Sequence, residues 1–495
     1  MANEAATIDL CIVSHTNAGK TTLARTLLGR EIGEIRDQPH ITEIAESHVL
    51  LETPQGDLLR LWDTPGFGDS ARLVKRLMLA DSPIGWMLRQ LWDRYRDRPF
   101  WCSQQAMRAA RESTDVVLYL ASAAEDPRDA AYVTAEMQIL RWIGKPVLLL
   151  LNQVGPPKPA AAERAEEERW RLHVAPLAVV REVLTLDAFA RCWVQEGVLL
   201  HAVEKVLPEE KRGPFARLSA AWTARSLERF DAAMAILAAQ ITRAARDHES
   251  LAPAAPGGVA RQVLKSLGVA DKGGDAARER AIDALAERLD RETRDAMQRL
   301  IRLHGLEGNA TAIVLQRVRE PLVDTGPVDE GRTATFSGIV SGALSGLAAD
   351  LAAGGLTLGA GMLAGGILGA LGGAGIARGY NMIRGDSQPA VGWGAPSLDA
   401  LAAAAILRYL AVTHFGRGRG RYQESEAPAF WRDEVSRTIS EHAETLHTLW
   451  ENAAQSEYSE QVEQDLQRTL AAATAAILER LYPGRVPKEL LEGGH

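Results

Sequence analysis

Along roughly the first 150 residues, short saturated apolar runs alternate with stretches of helical periodicity, as in βαβ units. Ile8–Val13 reads as a buried strand and Thr21–Gly29 as the helix after it. Val49–Glu52 and Leu58–Trp62 flank Pro54-Gln55-Gly56, which predicts a hairpin. Val116–Leu120 and Pro146–Leu151 are apolar throughout, the mark of parallel strands covered on both faces. Val183–Leu186 would be the last strand, and Asp69–Arg111, with Trp86, Trp92 and Trp101, a helical insertion. From about Phe189 the alternation stops and helical periodicity takes over. Helices are expected over Phe215–Asp247, Ala276–Leu306, Leu398–Val412, Trp431–Ser456 and Gln461–Leu481, with linkers at 252–258 and 320–331. The pattern divides the chain into an α/β domain over 1–206 with an insertion at about 70–111, and a helical region over 207–330. A glycine-rich apolar hairpin follows over 331–394, then a helical region over 395–495.

Glycine singles out that third segment. Eighteen of the 43 glycines fall between Gly331 and Gly394, and the 27 residues Leu351–Ala377 hold no charge. Gly338, Gly342 and Gly346 recur every four residues, as do Gly361, Gly365, Gly369 and Gly373. At helical pitch each series makes a smooth stripe that lets another helix approach closely. Each glycine costs a helix about 0.8–1 kcal/mol relative to alanine, so close packing or a bilayer must compensate. Two readings stay open, a hairpin in contact with a membrane and a hairpin buried in protein.

Composition narrows the function classes. The net charge of −8 gives no global basic field for nucleic acid, and no specific nucleic-acid partner is expected. Cys11, Cys102 and Cys192 are far apart, which argues against a disulfide framework and fits a reducing compartment. The acidic N-terminus lacks the charged-then-apolar pattern of a leader, so the expected location is cytoplasmic, peripheral to or inserted in the inner membrane through 331–394.

The chemistry lies in the first domain. Ser14-His15-Thr16-Asn17-Ala18-Gly19-Lys20-Thr21-Thr22 follows a strand and opens a helix, where backbone N–H groups and the helix N-terminus can cradle phosphates. Ser14 stands at a first position that is usually glycine. Lys20 would reach the β- and γ-phosphates and the Thr21 hydroxyl would hold Mg²⁺. Downstream, Asp63-Thr64-Pro65-Gly66 supplies a carboxylate for Mg²⁺ and an N–H for the γ-phosphate, a contact that hydrolysis would release. Thr42, between the two in order, would add a hydroxyl to the metal.

This order resembles the Era/TrmE/EngA class of GTPases over roughly residues 6–190. The resemblance implies an α/β P-loop GTPase fold, a mostly parallel sheet with helices on both faces, followed by an all-α region. It implies GTP and Mg²⁺ as ligands, with Asn152 and Gln153 at the base and Leu186-Asp187-Ala188-Phe189 closing over it through the Ala188 N–H. Gly155 replaces the aspartate that accepts the guanine N–H groups in that class, so guanine preference requires another carboxylate. The resemblance also gives Asn17 a role in coordinating an activating K⁺, and suggests dimerisation of such domains. Phe67 stands where a glutamine would orient water, which leaves Asp69 as the nearest polar candidate beside Lys20 and Asn17 for catalysis.

Over nearly its full length the chain is similar to a bacterial family that pairs an Era-like GTPase domain with a C-terminal domain of unknown function. The matching runs are 15–21, 186–193, the glycine-rich hairpin and His414-Phe415-Gly416-Arg417-Gly418-Arg419-Gly420. The expected function is a slow GTP switch that controls a membrane- or partner-interacting helical domain. A cytosolic RNA- or ribosome-associated assembly GTPase and a nucleotide-gated non-catalytic scaffold are the alternatives.

Overall fold

The computed structural model describes residues 5–16, 18–29, 45–79, 82–83, 85, 98–155, 157–188, 192–250, 272–306, 390–415, 429–454 and 459–492. Asn17, Thr42, Phe189, Arg417, Arg419, Arg421, both expected linkers, most of 81–97 and the hairpin up to 389 lie outside them. The chain divides into two compact units. The first comprises 1–228, 413–421 and 481–487, and the second the remainder.

The first unit is built on a six-stranded sheet. β1 (Thr7–Ser14), β2 (Glu46–Glu52), β3 (Leu58–Asp63), β4 (Val116–Ser122), β5 (Val147–Asn152) and β6 (Val180–Thr185) lie in the order β2-β3-β1-β4-β5-β6. Only β2 runs antiparallel to its neighbour, paired with β3 through the expected hairpin. The helices of this unit are α1 (Lys20–Leu28), α2 (Ser70–Leu77), α3 (Arg98–Glu112), α4 (Ala131–Ile143), α5 (Ala160–Val174) and α6 (Trp193–Val206), followed by the start of α7 (Glu209–Arg246).

Strand side chains alternate between faces, so each central strand feeds two cores. Cys11 and Val13 pack with Val117, Tyr119, Leu149, Met137 and Trp170, while Leu10 and Ile12 pack with Leu118, Leu120, Leu148, Leu199 and Phe215. Both layers exclude water, which is why these strands read as unbroken apolar runs rather than alternating ones. The expected strands all form. The last begins at Val180, three residues before the apolar run, because the sheet edge tolerates the exposed Arg181 and half-buried Glu182.

Asp57 fixes the hairpin to its surroundings. Its buried carboxylate accepts from the Ala6 N–H at 3.1 Å, the Thr53 hydroxyl at 3.0 Å, and Arg217 Nε and Nη2 at 2.7 and 2.8 Å. The arginine bonds hold its pKa below the usual carboxylate range.

The far end of the chain returns to this unit. His414 Nε2 lies 2.7 Å from the Tyr482 hydroxyl, and Arg485 Nη2 donates to Glu167 Oε2 at 3.0 Å. The other oxygen of Glu167 accepts the Thr185 N–H at 2.9 Å, so the returning segment braces the end of β6.

The second unit is helical. The remainder of α7 is joined by α8 (Lys272–Leu303), α9 (Ala395–Thr413), α10 (Ala429–Glu441), α11 (Ala443–Ala454), α12 (Ser459–Leu481) and α13 (Lys488–Glu492). The single helix expected over 431–456 is two, α10 and α11, broken at His442. There Nδ1 lies 2.9 Å from the Thr438 carbonyl, a side chain competing with the backbone for a helix acceptor. β7 (His248–Ser250) and β8 (Ala390–Gly392) form a short antiparallel pair that no apolar pattern announces. Among the described residues, α9 is long and apolar enough to cross a bilayer, yet 67% of that stretch is buried inside the protein.

Glu163, on α5 near Arg485, gives the first unit a pH signature. Burial raises its pKa from 4.5 to about 7 despite the arginine. A raised carboxyl pKa means stability that is complete below about pH 4.5 and lost as pH rises through 7. Glu163→Gln should therefore match the wild type in thermal unfolding at pH 4.5. At pH 8.5 it should exceed it by up to about 3 kcal/mol, at 1.36 kcal/mol per pKa unit.

Candidate functional site

The loop that leaves β1 sits at the carboxyl edge of the sheet, where β1 has β3 on one side and β4 on the other. Connections diverge there, and open α/β sheets bind their ligands at such a point. Ser14 is the last residue of the strand and fully buried. Among the described residues, Gln153 and Ala178 are the only non-glycines with positive φ, so this first loop position does not require glycine. The Ser14 hydroxyl instead donates to the His15 carbonyl at 2.6 Å and accepts from Lys20 Nζ at 3.0 Å. Lys20 also donates to the His15 carbonyl at 3.3 Å. Burial pulls the lysine pKa down, and Asp63 and Glu136 act against that.

Gly19 precedes α1 with φ +86°, and a Cβ there would lie 2.7 Å from Asn152 Nδ2. Glycine is thus required twice over, for its backbone angle and for the close approach. Thr21 donates from Oγ1 to Asp63 Oδ2 at 2.6 Å. The other Asp63 oxygen is buried with no hydrogen-bond partner among the described residues, and burial raises the carboxyl pKa. A hydroxyl beside a half-satisfied buried carboxylate is a hard-oxygen pair suited to Mg²⁺, so the residues present fit that ion. Thr22 lies in the first turn of α1, half-buried.

The Asp63–Gly66 segment packs directly on the loop. The Phe67 N–H donates to the Ser14 carbonyl at 2.9 Å, and a Cβ on Gly66 would come within 3.0 Å of Lys20 Nζ and Thr16 Cα. Thr16 Oγ1 reaches the Phe67 carbonyl at 3.4 Å. The Phe67 side chain is fully buried in the core. Asp69 caps α2, its Oδ1 accepting the Arg72 N–H at 3.0 Å.

Asn152, at the end of β5, joins two loops. Its Nδ2 donates to the Ala18 carbonyl at 2.8 Å, and its Oδ1 accepts the Ala188 N–H at 2.9 Å. Gln153 follows with φ +59°, its Oε1 accepting the Ser122 hydroxyl at 2.9 Å. Gly155 has φ +83° and open space around its Cβ position. Asp187, 2% exposed, accepts the Val154 N–H on Oδ2 at 2.7 Å, so its carboxylate stands beside the loop in which Gly155 provides none.

The sequence pattern missed a buried acid behind the loop. His15 Nδ1 lies 2.7 Å from Glu136 Oε1, and the Tyr119 hydroxyl donates to Oε2 at 2.7 Å. The His15 ring lies 4.4 Å from that of Tyr132. Burial raises the Glu136 pKa, against hydrogen bonds from His15, Tyr119 and Ser70. The signal was available. Glu136 occupies the apolar face of α4 with Val133, Met137 and Leu140, where a charged residue calls for partners.

Residues 177–481, more than half of the chain, match the family model described as a domain of unknown function, DUF3482. The chain belongs to the DUF3482 family. Upstream of that domain, residues 9–153 match the model described as 50S ribosome-binding GTPase, which covers β1 through β5 and the loops just described. No curated protein matches this DUF3482 chain. Among solved structures it is similar to an Era variant from Aquifex aeolicus bound to GDP and AlF4⁻. Identity is 19% over 41% of this chain and 57% of that one, with a TM-score of 0.31. The chain thus spans little more than half the length of that structure. It is also similar to Era in complex with MgGDPNP and a segment of 16S ribosomal RNA, at 18% identity over 61% of this chain and 90% of that one, with a TM-score of 0.31.

The close approach at Gly19 yields a direct test. Gly19→Ala adds about 1–3 kcal/mol of backbone strain and drives Asn152 off the Ala18 carbonyl. The variant should unfold several degrees below the wild type and bind nucleotide at least tenfold more weakly by equilibrium titration.

Proposed function

We propose that the first unit binds GTP with Mg²⁺ and hydrolyses it to GDP and phosphate. The observation that carries this reading is the Thr21–Asp63 pair at 2.6 Å beside the buried Lys20, at the loop that opens α1. Lys20 offsets phosphate charge, while the backbone of Thr16–Lys20 and the α1 N-terminus donate to phosphate oxygens. Thr21 and Asp63 hold Mg²⁺, which withdraws charge from the phosphate oxygens when bound. Gly66, backed onto the loop, reports a γ-phosphate through its N–H and moves when it leaves.

Selectivity for guanine rests on Asp187. Its carboxylate replaces the one that Gly155 cannot supply and accepts guanine N–H groups, while Asn152 holds the phosphate and base loops at a fixed separation. Ala188 and Gln153 complete the base side of the site.

Hydrolysis needs an in-line water, and this chain orients it poorly. Phe67 is committed to the core and Asp69 to capping α2. Turnover is therefore slow until a cation at Asn17, a second such domain or a partner stabilises the charge that develops on the phosphoryl group. The nucleotide state in turn sets the exposure of the glycine-rich segment at 331–394, whose residues 351–377 hold no charge and through which the chain meets a membrane or membrane protein. Vesicle flotation that does not change between GTP analogue, GDP and no nucleotide would break that coupling.

Phosphate release from GTP should exceed that from ATP by at least tenfold and should be faster in K⁺ than in Na⁺. Equal rates with both nucleotides would overturn the guanine assignment. Asp187→Asn should weaken GTP binding by about 1.5–3 kcal/mol, the usual contribution of hydrogen bonds to a charged group. It should also gain affinity for XTP, whose 2-oxo group accepts from an amide. Unchanged GTP affinity in that variant removes Asp187 from the base site and leaves nucleotide binding standing.

A further inference from the structure

Arg408 lies in the interior of the second unit with no counter-ion among the described residues. It sits on α9, where every residue from Leu401 to Leu410 is buried, so its side chain has no solvent face to reach. Nη1 donates to Gln240 Oε1 at 3.2 Å, and Gln240 Nε2 donates to Thr293 Oγ1 at 2.8 Å. This polar line joins α9, α7 and α8. On the opposite edge of the guanidinium, Nε and Nη2 are buried and have no hydrogen-bond partner among the described residues. Burial alone draws the pKa down to about 10, with no carboxylate acting on it, so the group stays charged at neutral pH.

Two other arginines in this chain show what the same edge does when it is paired. Arg217 turns Nε and Nη2 onto the Asp57 carboxylate at 2.7 and 2.8 Å, and Arg60 turns the same edge onto Asp9 at 2.8 and 2.9 Å. Two parallel N–H donors match two coplanar oxygens, the geometry of a carboxylate or a phosphate. A buried charge is retained where it is paired, and among the described residues only one edge of Arg408 is.

We propose that the Nε and Nη2 edge of Arg408 anchors an oxyanion-binding site inside the helical unit, one that takes the carboxylate or phosphate group of a ligand. Gln240 is the positioning residue. It is fully buried, fixed by Thr293, and holds Nη1 so that the guanidinium keeps its plane. Every residue from Leu401 to Leu410 is buried, and a dry interior of that kind favours an oxyanion carried on an apolar body over a hydrated ion. The site is independent of the nucleotide reading, since none of its residues belongs to the first unit.

The test uses the full chain in a Lys20→Ala background, which weakens phosphate capture at the nucleotide loop. Calorimetric unfolding is followed in chloride, inorganic phosphate and octanoate at equal ionic strength, with Arg408→Met and Arg408→Lys alongside. Phosphate or octanoate at millimolar concentration should raise the midpoint of the Arg408 protein by several degrees. A larger rise with octanoate identifies an amphiphile, and a larger rise with phosphate a compact oxyanion. Arg408→Met should lose the rise, and Arg408→Lys should need at least tenfold more anion. A midpoint that neither anion moves overturns the proposal, as does an equal rise in Arg408→Met. Should Arg408→Met fail to fold, the arginine Nε–H resonances decide. One that shifts saturably with octanoate or phosphate in the Arg408 protein and is missing from Arg408→Lys supports the site, and none that does so refutes it.

Discussion

The Asn152 side chain accepts a backbone N–H on its oxygen and donates from its nitrogen to a backbone carbonyl, and both contacts are buried. Through them the end of β5 is tied to the loop after β1 and to the loop after β6, three segments far apart in sequence. An amide is suited to this because it carries a donor and an acceptor on one rigid plane, whereas a carboxylate would set two acceptors against the Ala18 carbonyl. Gly19 leaves room for the contact, and Thr26 adds a second tie by donating to the Ala188 carbonyl at 3.0 Å. The candidate site is a set of loop ends whose separation this side chain fixes.

Charge at the site is arranged on the same economy of partners. Lys20, Asp63 and Glu136 are all buried, and burial pushes each toward its neutral form. They persist because each also has specific partners: Lys20 has Ser14 and the His15 carbonyl, Asp63 has Thr21, and Glu136 has His15 and Tyr119. The interior beneath the loop therefore holds pre-oriented polar groups in a medium that strengthens their fields. On the proposed reading, an incoming phosphate and cation would meet dipoles and charges already in place, with little reorganisation left to make. Arg408 in the helical unit presents the contrasting case, a buried charge with one edge unpaired among the described residues.

The brace on β6 comes from residues 481–487, which, with 413–415, interrupt the helical region in sequence and yet pack within the first unit. Arg485 holds Glu167, and Glu167 holds the backbone at Thr185, just ahead of the loop that carries Asp187 and Ala188. That edge of the candidate site is thus buttressed by residues 481–487. The DUF3482 match over 177–481 spans this same loop, so that family's boundary falls inside the α/β unit rather than after it.

The α/β architecture could be read from the chain because strands buried on both faces leave unbroken apolar runs, and because Lys20 and Asp63 follow such runs directly. That local record also placed the hairpin around Pro54-Gln55-Gly56 and most of the helices. It contained no trace of β7 and β8, three-residue strands whose pairing depends on partners about 140 residues apart, or of the break at His442, where the ring and the backbone N–H share the Thr438 carbonyl. The partners of Asn152, the carboxylate beside Gly155, the acid at His15 and the unpaired edge of Arg408 were likewise decided only by the fold. Periodicity records which face of an element meets water. Which polar groups meet one another across the interior depends on the packing of segments remote in sequence, and only the tertiary structure specifies that.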